Sequence, residues 1–153
     1  MRRLIASWFG SGLILRHFRG SDGGSGTLAA LFTYPVVLFL ARHGWIAQMS
    51  TALGVAILSI WASQRFSTQG DSHADPGWVV VDEAAGTLVS TIGLCGIPAV
   101  AAIAVFRVAD IFKTRFPGVS ASERLPGGFG ITADDVVAGL YGLAVGWTLT
   151  AWL

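Results

Sequence analysis

Charge is what this sequence has least of. Asp, Glu, Lys and Arg together make up 12% of its 153 residues, where soluble domains carry roughly 25%. Cysteine is nearly absent: Cys95 stands alone, so no internal disulfide can close and no cysteine-based metal site can form. Lying in an apolar run, Cys95 is expected to be a small packing residue. A net charge of +1 makes no case for nucleic acid. The glycine-rich stretch at 16–27 has neither the lysine of a phosphate-binding Walker loop nor the strand context of a dinucleotide fingerprint. No internal repeat of the kind found in many transporters is visible. After Met1-Arg2-Arg3, the apolar stretch is too short, and too broken by Gly10, Ser11 and Gly12, for a signal peptide.

What remains is apolar. Hydrophobic residues reach 53% and the mean hydropathy is +0.64, the composition of an integral membrane protein. The length suits a single domain over 1–153. Residues 4–13 read as a short interfacial helix ending at a glycine turn, with Trp8 and Phe9 at headgroup level and Arg2 and Arg3 suited to anionic lipid. Residues 16–27 read as a polar loop. Two apolar runs follow, 28–41 and 44–63, divided by Arg42-His43-Gly44. About 20 apolar residues cross a bilayer as a helix. The second run meets that length, with Trp45 and Trp61 near its ends; the first meets it only by including Arg42 and His43, and Pro35 is placed to kink it. His43 reads as a boundary histidine. Residues 64–78 form a polar loop in which Asp71, His73 and Asp75 read as a solvated turn. Beyond it the pattern predicts helices over 80–94 and 97–113, each short for a full span, then a loop over 114–130 and a last apolar helix over 136–153.

The few acids are not scattered. Five of the nine carboxylates are Asp82 and Glu83, Asp110, and Asp134 and Asp135, all at or near the ends of apolar helices. Thr132-x-x-Asp135 fits a helix capping box, which accounts for one aspartate but not for the set. Arg107, Asp110 and Lys113 fall along one helical stripe. Ionisable groups at membrane depth mark function by default. Five converging carboxylates repel strongly unless a cation joins them. Mg²⁺ prefers carboxylate and water oxygens together with substrate phosphates, and Arg107 and Lys113 bring positive charge for a phosphate. The chemistry points to metal-assisted reaction of a phosphorylated, membrane-borne substrate.

Three segments resemble a known family. Asp82-Glu83-x-x-Gly86, then Phe106-Arg107-x-x-Asp110-x-x-Lys113, then Gly127-Gly128-x-Gly130-Ile131-x-x-Asp134-Asp135-x-x-Ala138-Gly139 are similar, in order and spacing, to the motifs of phosphatidylglycerophosphatase A. Gly10-Ser11-Gly12-Leu13 and Gly26-Thr27-Leu28-Ala29 resemble that family's first motif. The resemblance implies an all-α fold, a polytopic membrane bundle with short or broken helices around an acidic metal centre. It implies a Mg²⁺-dependent lipid phosphatase that converts phosphatidylglycerol phosphate to phosphatidylglycerol and phosphate in a bacterial inner membrane. Asp82, Glu83, Asp110, Asp134 and Asp135 would hold the metal. Arg107, Lys113, Thr27 and Ser11 would bind substrate, and Asp134, Asp135 and Lys113 would act in catalysis. Arg16, Arg19, Lys113, Arg115 and Arg124 place the acidic centre at the cytoplasmic face. The chain departs from the family pattern at Thr114, which replaces a proline after the motif lysine, at Val81, which stands where a Trp often precedes the acidic pair, and at Asp22-Gly23-Gly24-Ser25, which replaces a Pro-Gly-Thr. Two other readings stand beside the phosphatase: a catalytically impaired membrane protein with a structural or lipid-binding role, and an ion or proton pathway.

Overall fold

A computed structural model describes residues 1–66 and 76–153. Among them there is no strand; the chain forms α1 (Arg2–Ala6), α2 (Ser11–Arg19), α3 (Ser25–Ala41), α4 (Trp45–Ser63), α5 (Val81–Ser90), α6 (Gly96–Ile111), a 3-10 turn (Lys113–Arg115), α7 (Val119–Ser122) and α8 (Gly128–Trp152). Asp71, His73 and Asp75 lie outside the described residues.

Length and composition separate the helices. α4, with 19 residues, and α8, with 25, are long and apolar enough to cross a membrane. α3 has 17 residues and runs unbroken through Pro35, about 25 Å at 1.5 Å per residue and so short of a roughly 30 Å hydrocarbon core. α5 has only ten residues. It is a hub rather than a span: nine of its ten residues are buried, and it packs against α3, α4, α6 and α8.

Small residues let these backbones approach. A Cβ at Gly86 of α5 would strike the Phe106 ring and come within 2.9 Å of the Asp135 carbonyl. On α8, Gly139 faces the Gly86 carbonyl, Gly142 the Ala102 carbonyl and Gly146 the Leu94 side chain. Such small-residue seams bring helix backbones into close van der Waals contact. Two sets of buried polar side chains are paired across helices. Ser59 and Thr132 share a 2.7 Å hydroxyl contact between α4 and α8. Gln48 of α4 donates to the carbonyls of Thr91 (3.2 Å) and Leu94 (3.3 Å), and accepts from the Gly93 N–H at 2.7 Å.

Several expectations change. The helix expected over 4–13 is two helices. Trp8, Phe9 and Gly10 take positive φ (45°, 57° and 94°), a left-handed turn that ends α1. The expected loop at 16–27 is largely helical, because α2 runs on to Arg19 and α3 begins at Ser25. α5 stops at Ser90, where the turn that Gln48 holds begins, rather than at residue 94. The expected loop at 114–130 contains α7 and the first turn of α8. With α8 beginning at Gly128, Thr132 is not its N-cap. Its hydroxyl goes to Ser59, and the Gly128 N–H is met instead by Gln64 Oε1 at 2.8 Å. Cys95 is exposed, not packed, at the turn between α5 and α6. His43 is the boundary residue expected: exposed, with Nδ1 2.9 Å from the Phe39 carbonyl oxygen.

Candidate acidic centre

α5 delivers Asp82 and Glu83 in its first turn. α6 delivers Arg107 and Asp110 close to its end. α8 delivers Asp134 and Asp135 from its second turn, on the face that packs against α5 and α6. These three helices bring the five carboxylates together. Oxygens of Asp82, Glu83 and Asp135 lie within 4.8 Å of one another, and so do those of Asp110, Asp134 and Asp135. Asp135 belongs to both groups. It is 2% exposed, Asp82 4% and Asp134 6%, so this charge is removed from bulk water and not spread over a solvated face.

The cations are partly committed. Arg107 pairs with Asp110 at 2.9 Å, one turn apart on α6 as the stripe predicts. Lys113 leaves that stripe. It opens the 3-10 turn after α6, and its Nζ reaches Glu123 Oε1 at 2.6 Å and Asp134 Oδ2 at 3.1 Å. Burial works to lower the Lys113 ammonium, but the hydrogen bonds and charges of Glu123 and Asp134 outweigh it and hold the group above its ordinary value. Lys113 is therefore a fixed cation at neutral pH. The other Asp134 oxygen, Oδ1, accepts the Asp135 N–H at 3.1 Å. Glu83 Oε2 and Asp135 Oδ2 are buried without a hydrogen-bond partner, at a cost that a bound donor or cation would relieve.

The N-terminus of α3 closes the remaining side. Gly26 sits in its first turn so close to Glu83 and Arg107 that a Cβ there would overlap the Glu83 carboxylate and lie 2.6 Å from the Arg107 guanidinium. No side chain caps this helix. Thr27 is exposed in the same turn, and the Ser25 hydroxyl is buried without a partner. Ser11, at the start of α2, is buried and donates to the Ser7 carbonyl at 3.2 Å.

Sequence reasoning missed Glu123. It lay in a stretch read as loop, yet it forms the shortest ion pair among the described residues. A signal was present. Lys113 is the only lysine in the chain, and Glu123 is one of four acids left over once the five are grouped.

Residues 4–150 match the family model described as phosphatidylglycerophosphatase A. A curated Haemophilus influenzae protein named phosphatidylglycerophosphatase A is 34% identical over 156 residues, covering 98% of this chain and 89% of that one. A Bacteroides thetaiotaomicron protein, provisionally named phosphatidylinositol-3-phosphatase, is 34% identical over 149 residues, covering 90% of this chain and 86% of that one. No solved structure matches.

Proposed function

The chain belongs to the phosphatidylglycerophosphatase A family and is a phosphatase; from that premise we propose that it hydrolyses phosphatidylglycerol phosphate to phosphatidylglycerol and inorganic phosphate, with Mg²⁺, at the cytoplasmic face of a bacterial inner membrane. The observation that carries this reading is the meeting of five carboxylates from α5, α6 and α8 beside Arg107 and Lys113. That centre lies toward one end of two helices of membrane length.

The donor set fits Mg²⁺. It is all hard carboxylate oxygen, and Glu83 and Asp135 each keep a buried oxygen without a hydrogen bond. Asp82, Glu83, Asp110, Asp134 and Asp135 would hold the ion. Once bound, it would supply charge for the phosphate oxygens and acidify a water. The chain's own groups do the rest. Arg107 and Lys113 offer donors to the equatorial phosphate oxygens, and catalysis of this kind is mostly positioning and charge neutralisation. Gly26 brings the uncapped first turn of α3, whose N–H groups favour an anion, up against Glu83 and Arg107. Thr27 can donate there. Ser11 takes part only if its hydroxyl gives up the Ser7 carbonyl.

In hydrolysis, water oxygen bonds to phosphorus, the P–O bond to the lipid breaks, and the lipid oxygen leaves with a proton as phosphatidylglycerol. Asp134 or Asp135 can accept the water's proton. Alternatively one of them takes the phosphoryl group first and water releases it. Hydroxylamine trapping during turnover separates the routes, since only the second yields an adduct.

Orientation follows from charge. Arg2, Arg3, Arg16, Arg65, Lys113, Arg115 and Arg124 belong to the site end, and Arg42, after α3, to the other. Positive residues favour the cytoplasm. A multi-pass topology follows if α3 and α6 cross with α4 and α8. The test of substrate is phosphate release by purified protein from phosphatidylglycerol phosphate, phosphatidylinositol 3-phosphate and glycerol phosphate. The reading expects the first to have the highest kcat/KM. A clear preference for either of the others overturns it.

A further inference from the structure

The loop between α6 and α8 is built, not slack. Val119 of α7 is fully buried with Phe106, Ala109 and Ala138. Tyr141 donates its hydroxyl hydrogen to the Pro117 carbonyl at 2.8 Å. Gly130, in the first turn of α8, lies so close to the Glu123 and Leu125 carbonyls that a Cβ there would collide with both. The backbone of Glu123 is thus pinned from two sides, and its carboxylate points to Lys113.

Lys113 needs such a partner. Its ammonium rides on a flexible four-carbon stem, and Asp134 alone would draw it down among the buried acids. Glu123 gives it a second anchor, at 2.6 Å against 3.1 Å for Asp134. Glu123 belongs to neither group of clustered carboxylates. Like that of Lys113, its side chain is about 30% exposed, whereas the Asp134 side chain is almost wholly buried.

We infer that Glu123 is a positioning residue: it fixes the Lys113 ammonium at the rim of the acidic centre, where the phosphate of a lipid monoester meets it. Glu123 touches no substrate and acts through Lys113. The inference rests on the phosphatase reading. It requires charge at position 123 as well as shape. Gln keeps the shape and loses the charge; Asp keeps the charge on an arm one methylene shorter.

Because Lys113 is the sole lysine, an amine-reactive reagent reports its freedom without interference from another side chain. Wild type, Glu123→Gln and Glu123→Asp, each purified in detergent, are treated with a soluble succinimidyl acetate, and Lys113 acylation is timed by peptide mass spectrometry. The same samples are assayed on phosphatidylglycerol phosphate, and thermal unfolding checks that each is folded. Loss of a charge-assisted hydrogen bond should speed acylation of the Gln variant about fivefold and lower its kcat/KM about tenfold. The Asp variant should recover most of both. Equal acylation of the Gln variant and wild type overturns the inference, and so does faster acylation with unchanged kcat/KM. If the Gln variant does not fold, Glu123→Ala, which also removes the charge, takes its place and is judged by the same two ratios. If wild type releases no phosphate from any lipid monoester, the phosphatase reading fails instead, and the acylation ratio still decides for or against Glu123.

Discussion

Gly26 lies directly against the carboxylate of Glu83. A helix N-terminus and an acidic side chain meet there with no side chain between them, and the Arg107 guanidinium completes the contact. Gly26→Ala should therefore act on the site more than on the fold, because the groups that a methyl would meet are the ends of long side chains and can shift. The expected result is a loss in kcat/KM of at least about tenfold, with a thermal midpoint within a few degrees of wild type. Normal kinetics for this variant would remove α3 from the site.

Gly142 and Gly54 should respond in opposite ways. A Cβ at Gly142 runs into the Ala102 backbone carbonyl, whereas one at Gly54 meets nothing within 4 Å. Gly142→Val should destabilise by about 1–3 kcal/mol or more, since backbone must move. Gly54→Ala should be neutral or stabilising by up to about 1 kcal/mol through helix propensity. Unfolding midpoints in one detergent make the comparison.

Gln48 spends its amide on three backbone groups at the end of α5. Gln48→Leu keeps the volume and leaves those groups unpaired. A cost of about 1–3 kcal/mol for a buried group left unsatisfied predicts a lower midpoint. Residual activity per folded molecule should change little, because Gln48 contacts the turn after α5 while the carboxylates lie at the helix's start.

Cys95 and Ser122 should be reached from opposite sides of the membrane. Cys95 is exposed just beyond the end of α5 farther from Asp82 and Glu83, and Ser122 ends α7 beside the acidic centre. In whole cells an impermeant maleimide should label wild-type Cys95, and should label Cys95→Ser/Ser122→Cys only after the inner membrane is opened. The reverse pattern would invert the topology.

The sequence showed the acids before it showed their scaffold. Asp82, Glu83, Asp110, Asp134 and Asp135 were legible because charge is rare, and each rare charge opened or closed an apolar run. Helix ends were harder to read. Thr132 looked like a cap because Thr-x-x-Asp is a local pattern, but the first turn of α8 is capped by Gln64 from 64 residues away. The early stop of α5 likewise depends on a turn whose polar groups are met by Gln48, about 45 positions earlier. Glu123 was missed for the same reason: its meaning lies in a contact with Lys113, and the signal was its scarcity among the charges, not its local pattern. Trp8 and Phe9 take left-handed backbone that their residue types disfavour, so no propensity argument would place the α1–α2 break there.

Asp135 is the one carboxylate common to both acidic groups, and its conversion to Asn tests the whole account. The measurement is phosphate release from phosphatidylglycerol phosphate by the purified protein in detergent, with Mg²⁺ or with a chelator, for wild type and Asp135→Asn. The account predicts release by wild type that needs Mg²⁺, and a fall of at least about a hundredfold in the folded variant, on the order of 3 kcal/mol in transition-state stabilisation. Release that survives both the chelator and the substitution would contradict it, and would move the chemistry away from the carboxylates of α5, α6 and α8.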